Sequence, residues 1–211
     1  MNRKREGCHS GYYNCHTIYD TTLIRLAREI YVNPGIHKRK LAKQLDLKMP
    51  SIDFSVKKLG TLLIEKKSGN QINFYLNYSK LALIPLLCAV EHTRFEKLPS
   101  KIRIALDGFI NQLSQKPLLA VLFGSYVRGD FNSNSDVDIL LVYQKIPKDI
   151  ETTTKSINLK TGVKISPIYL EYSEFNKLFH NPTKAFFRKI RDEKIVIAGI
   201  EWWRRLVDEE S

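Results

Sequence analysis

Asp136 and Asp138 stand at i and i+2 where an apolar run, Val137 to Val142, begins. On a strand that spacing puts both carboxylates on one face. Such a pair suits a hard cation, magnesium or manganese, which takes one or two protein carboxylates and fills its other positions with water and phosphate oxygens. Upstream, Gly124-Ser125 ends a second apolar run, Leu119 to Phe123, and ten residues separate Ser125 from Asp136. A Gly-Ser turn offers a hydroxyl and backbone N–H groups to phosphates. Taken singly, the turn is an ordinary turn and the acids are solvated strand ends. Between two strands and at this spacing, they read together as a metal-nucleotide site.

The chain that must position these groups has 211 residues, 43% of them hydrophobic, enough for one large or two small domains with cores. Its formal charge of +12 points to a polyanionic partner. Residues 1–100 carry 17 Lys+Arg against 8 Asp+Glu, and residues 101–211 carry 17 against 14, so the basic excess belongs to the N-terminal half. No run of 18 apolar residues exists, and the start, MNRKREGCHSGYYNCH, lacks the apolar core of a signal peptide. A cytoplasmic protein without membrane attachment is expected. Three cysteines make no disulfide framework, and Cys88 reads as a buried thiol. Cys8, His9, Cys15 and His16 carry groups that zinc prefers, but their spacing matches no zinc signature, and a loosely packed tail over residues 1–19 is the alternative.

From Thr21, with Asp20 or Thr21 as cap, Leu23, Leu26, Ala27, Ile30 and Tyr31 follow helical spacing. Asn33-Pro34-Gly35 stops that helix. A second helix is expected over His37–Leu45, and a third has Pro50 in its first turn, Ile52, Val56 and Leu59 inward, and Ser51, Ser55, Lys57 and Lys58 outward. The alternating stretch that follows turns at Ser68-Gly69-Asn70, a hairpin signal. Three helices and a hairpin over residues 20–78 resemble a winged helix-turn-helix domain. The resemblance implies double-stranded DNA as partner, with Ser51, Ser55, Lys57 and Lys58 in the major groove and Lys66, Lys67 and Asn70 on the wing. A dimerisation or protein-docking module would use the same fold.

Two helices, Leu81 to Glu96 with Pro85 inside and Lys101 to Leu113, are expected to link the halves over residues 79–116 and to offer a surface for a homodimer, although an ordinary core would use the same residues. In the second, Ile102, Ile104, Ala105, Phe109, Ile110 and Leu113 lie mostly on one side.

Gly124-Ser125, Arg128-Gly129-Asp130 and Ser135-Asp136-Val137-Asp138-Ile139-Leu140 resemble the signature of the DNA polymerase beta-like nucleotidyltransferases, in particular the minimal single-domain members. The resemblance implies an α+β fold for residues 117–211, a mixed sheet with flanking helices. It implies transfer of a nucleoside monophosphate, usually AMP from ATP, to a protein or nucleic-acid acceptor. Asp136 and Asp138 would then be catalytic metal ligands, and Gly124, Ser125 and Arg128 would bind the nucleotide. Arg128 reads equally as a salt bridge to Asp130 or Asp136. A helix from Lys148, a strand Val163 to Leu170 and a helical tail from Ser173 complete the expected order. Active members usually carry a third carboxylate on the strand after the Asp pair, and here that slot holds Ser166; the nearest acids are Glu171 and Glu174, so that either Glu171 reaches in from the strand end, the acceptor supplies the missing group, or the domain is a binding relic. The family resemblance also implies a small helical toxin-like partner. The competing reading is a catalytically weak regulator or antitoxin that binds DNA and a partner protein; an RNA-modifying enzyme would use the same charge.

Overall fold

The computed structural model describes residues 21–181 and 183–209. Cys8, His9, Cys15, His16 and the capping candidate Asp20 therefore lie outside the described residues.

Helix α1 (Thr21–Val32) buries Leu23, Leu26, Ala27, Ile30 and Tyr31 along the stripe their spacing defines. A short strand β1 (Ile36–His37) leads into α2 (Lys38–Leu45), whose start is capped by His37, its ring Nδ1 accepting from the Lys40 N–H at 3.3 Å. Helix α3 (Met49–Leu59) carries Pro50 in its first turn, where no N–H is needed. One 3-10 turn later, strands β2 (Leu63–Ser68) and β3 (Gln71–Leu76) form the hairpin, with Ser68 opposite Gln71 across Gly69-Asn70. The small antiparallel sheet has the order β1-β3-β2. Ser55 corrects the outward expectation: it is 3% exposed, because i+3 from Ile52 and i−4 from Leu59 place it on the core stripe of α3. Phe54 is exposed instead, at 66%.

Helix α4 (Leu83–Phe95) tolerates Pro85 in its first turn and buries Leu83, Leu86, Leu87, Ala89 and Val90, while Cys88 is only half-buried. Helix α5 (Ser100–Gln112) buries Ile102, Ala105, Leu106, Phe109 and Ile110. Ile104, expected with them, is exposed, since two residues advance a helix by about 200° and carry it to the far side.

The second sheet is built from β4 (Leu119–Phe123), β5 (Val137–Tyr143), β6 (Ile165–Glu171) and β7 (Ile195–Ala198), in the order β6-β5-β4-β7. A single turn, α6 (Ser125–Arg128), follows β4. Strands β5 and β6 run parallel, joined by the crossover helix α7 (Ile150–Thr161), and the other pairs are antiparallel. Helices α8 (Tyr172–Phe179), α9 (Ala185–Asp192) and α10 (Ile200–Asp208) complete the described chain. The tail is thus not helical throughout. Ile195-Val196-Ile197-Ala198 returns as the edge strand beside β4, and Gly199, at φ +78°, lets the chain pass against the Leu118 carbonyl, where a Cβ would collide.

One face of this sheet, through Ala120, Leu122, Ile139, Leu141 and Tyr143, packs on α5 and α7. The other, through Leu119, Val121, Leu140 and Val142, packs with α4, α8, α9 and α10 in a core continuous with Leu26, Leu41 and Ile52 of the N-terminal helices. Tyr31 of α1 donates a hydrogen bond of 2.6 Å to Glu91 of α4, and Lys194 lies against the Tyr31 and Trp203 rings at 4.5 and 4.8 Å. Arg204 of α10 donates to the Tyr78 carbonyl. The two halves are joined by a shared core and by this buried polar knot.

Candidate functional site

Strand β4 delivers Phe123 opposite Asp138 of β5. At the next residue the chain turns, and Gly124 takes φ +80° and ψ −153°, a conformation open essentially to glycine alone. Its carbonyl accepts from the N–H groups of Val127 and Arg128, each at 3.2 Å, and the Ser125 carbonyl accepts from Gly129 and Asp130, which closes α6 as one helical turn. Gly129, at φ +84°, ends it. A Cβ on Gly124 would run into the Asp138 carboxylate. Turn and carboxylate therefore share one small space.

The loop back to β5 is held by its own side chains: Asn132 N–H donates to Ser135 Oγ at 2.9 Å, and Asn134 N–H to Asn132 Oδ1 at 2.8 Å. It sets down Asp136 and Asp138, both half-buried, on one face of β5. Burial raises the Asp138 pKa from its ordinary value; the negative charge of Asp136 adds to this, and Arg128 opposes it. Asp136 is paired with Lys164, whose Nζ lies 2.8 Å from its Oδ2. Arg128 bridges Asp130 at 3.0 Å and Glu193 at 3.5 Å; of the two salt bridges open to it, the structure has the one to Asp130.

Ser166 is the partner of Asp138 in the parallel ladder, so the slot for a third acid holds a hydroxyl. Glu171 partners Tyr143, five positions along β6, or roughly 16 Å at about 3.3 Å per residue. That separation overturns the expectation that Glu171 reaches in from the strand end. Among the described residues no group of three or more His, Cys, Asp or Glu side chains gathers as a metal cluster. Two carboxylates beside a glycine turn do fit a single hard cation that keeps water and phosphate oxygens in its shell.

Two charged residues of the site escaped sequence reasoning. Lys164 was detectable only as the residue two before Ser166, hence on the same strand face. Glu193 precedes β7, a strand that was not foreseen. Apolar side chains border the site: Phe186 of α9 meets Phe123 edge-on at 5.4 Å, and Ile168, two residues past Ser166, is 39% exposed. On the other side of the turn, Tyr126 stacks on Phe131 at 4.5 Å and the two line a cleft of about 410 Å³ against α1 and α4.

In the N-terminal half, Ser51, Lys57 and Lys58 on α3 and Lys66 and Lys67 on β2 are exposed, with Lys66 over the Tyr75 ring at 5.1 Å. Ser55 is absent from this surface, for the reason given by its helical phase. No described helix is long and apolar enough to cross a membrane.

Residues 103–197, from within α5 to β7, match the nucleotidyltransferase domain family. The matched segment contains Gly124, Ser125, Asp136, Asp138 and Ser166. The chain is also similar to proteins of Methanocaldococcus jannaschii, each named a putative protein adenylyltransferase. One is 36% identical over 98 residues, covering 44% of this chain and 94% of that protein. A second is 34% identical over 88 residues, covering 36% and 60%, and a third is 40% identical over 53 residues, covering 23% and 54%.

Proposed function

The chain belongs to the nucleotidyltransferase domain family, and from that membership we propose that it transfers AMP from ATP to a hydroxyl of a protein or nucleic-acid acceptor. The observation that carries this reading is the convergence of Gly124 with Asp136 and Asp138 at the head of β5. In the transfer, the acceptor oxygen bonds to the α-phosphorus while the α–β bridging bond breaks. Pyrophosphate leaves with the bonding electrons, and the hydroxyl proton passes to water. Asp136 and Asp138 would hold a magnesium or manganese ion, which supplies charge neutralisation on the phosphates. Ser125 and the backbone after Gly124 hold the outer phosphates, since a glycine lets the backbone come close. Arg128, which bridges Asp130 and Glu193 and whose charge acts on Asp138, pairs with a phosphate oxygen.

The helices and hairpin of residues 21–76 support a winged helix-turn-helix reading, with double-stranded DNA contacted by Ser51, Lys57 and Lys58 on α3 and by Lys66 and Lys67 on the wing. A cytoplasmic regulator that senses nucleotide, binds DNA, forms a homodimer and docks a small helical toxin-like protein is the setting we favour. The proteins named adenylyltransferases among its relatives favour a protein acceptor.

Incubation with α-labelled ATP, magnesium and candidate protein acceptors tests the enzyme reading. Label should move to the acceptor and disappear in the double variant Asp136→Asn, Asp138→Asn; transfer that survives unchanged in that variant refutes the assignment. Ser166 favours a second reading, in which the site binds nucleotide with little chemistry and serves regulation alone. Under that reading nucleotide changes affinity for the upstream DNA in a gel shift, while no acceptor is labelled.

A further inference from the structure

The parallel ladder puts Lys164 beside Asp136 and Ser166 beside Asp138. Where a two-metal site would have an acid it has a hydroxyl, and two residues earlier stands a lysine whose ammonium pairs with Asp136. The charges balance in the same way. Three carboxylates with two divalent ions leave one net positive charge facing the triphosphate, and two carboxylates with one divalent ion and one lysine leave the same. Resting on the nucleotidyltransferase reading, we propose that Lys164 replaces a second metal ion: it holds Asp136 in the free protein and moves to a phosphate oxygen when a single divalent ion takes the carboxylates.

The surroundings of Lys164 suit that exchange. Its side chain is 73% exposed against 32% for Asp136, so the ammonium sits on the solvent side of the pair, where the triphosphate must arrive. A solvent-exposed ion pair of this kind is weak and readily traded for another partner. The lysine stem is flexible and ends in three rotatable donors, unlike the fixed fork of Arg128, which Asp130 and Glu193 already engage. The backbone at Lys164 is anchored, its carbonyl accepting from Val137 N–H at 2.8 Å, so only the side chain needs to move.

The test uses the full chain and two binding measurements, manganese alone by the loss of the free-ion electron paramagnetic resonance signal, and the non-transferable analogue α,β-methylene-ATP with manganese. Wild type should bind one manganese per chain with the analogue. Lys164→Met should bind manganese alone about two- to fivefold more tightly, because its competitor is gone, and bind the analogue about tenfold more weakly. Lys164→Arg should keep analogue affinity within about threefold. The proposal stands only if both Lys164→Met shifts appear; an unchanged or opposite shift in either, or two manganese ions per wild-type chain, overturns it. A wild type that binds the analogue while Lys164→Met matches it defeats this proposal alone. A wild type that binds no analogue defeats the nucleotide site as well.

Discussion

Asp138 and Ser166 are partners across the parallel β5–β6 ladder, with their side chains on one face of the sheet. A carboxylate at the serine position would therefore stand directly beside Asp138. Ser166→Asp should raise bound manganese from one ion to two per chain in the presence of the nucleotide analogue, counted by the same spectroscopic titration. With an added group able to accept the acceptor's proton, label transfer should also rise by at least about tenfold. A stoichiometry still at one ion would mean that this corner of the sheet does not admit a second cation.

Gly124 should tolerate no side chain. Its backbone conformation costs any other residue about 1–3 kcal/mol, and a Cβ there displaces the Asp138 carboxylate. Gly124→Ala should lower the unfolding midpoint in urea and reduce analogue binding by at least about tenfold. Gly129→Ala, also at positive φ but with nothing near the added Cβ, should lower stability while leaving analogue affinity within about threefold. Equal losses of binding in the two variants would remove the steric argument and leave only backbone strain.

Much of this site was legible because it is local. Gly124, Ser125, Asp136 and Asp138 sit at a spacing bounded by two apolar runs, and Ser166 follows on the next predicted strand. What escaped depended on register or on distant pairing. Lys164 acquires meaning only once the ladder sets it beside Asp136, and Glu171 loses its expected role only once the ladder sets it beside Tyr143. Strand β7 is four residues long and lies between helices, so its pairing with the far earlier β4 leaves almost no local signal. Ser55 and Ile104 were errors of helical phase: Ile52 and Leu59 at i−3 and i+4 draw Ser55 into the core, and Ile104 lies about 200° around α5 from Ile102. For α4 and α5 a linking role and an ordinary core were both open, and their packing on opposite faces of the second sheet was not legible because an apolar stripe does not name its partner.

If the N-terminal half binds DNA through phosphate contacts, its lysines should be visible in the salt dependence. Each phosphate contact contributes about 0.9 to the slope of log affinity against log salt. The double variant Lys66→Ala, Lys67→Ala should reduce that slope by about 2 and weaken binding to specific and unrelated duplexes alike. Ser55→Ala should leave the slope unchanged, since the hydroxyl is buried. Gel shifts between about 50 and 200 mM salt make the measurement, and an unaltered slope in the lysine variant excludes the wing from the interface.

The buried knot between the halves should write itself into the pH dependence of stability. Burial pushes the Lys194 ammonium down from 10.5 to about 8; Glu91 and Asp192 oppose the shift, and Arg94 adds to it. Below about pH 8 both folded and unfolded chains carry the proton, and the cost of the buried charge is present in full. Between about 8 and 10.5 the folded protein has released a proton that the unfolded chain keeps, so the unfolded state binds more protons and stability rises with pH, by at most about 1.4 kcal/mol per unit. Glu91, raised by burial, acts with the opposite sign: its contribution is complete below 4.5 and is lost as pH rises through its raised value. Tyr31 and Tyr78, also raised by burial, take stability away again as pH climbs above 10. Urea midpoints at fixed ionic strength should therefore climb from about pH 8 to 10 and then fall. Lys194→Met keeps an apolar stem against the Tyr31 and Trp203 rings and removes the titrating group, so its midpoint should show no climb in that window. A climb of the same size in the variant would assign the effect to another residue.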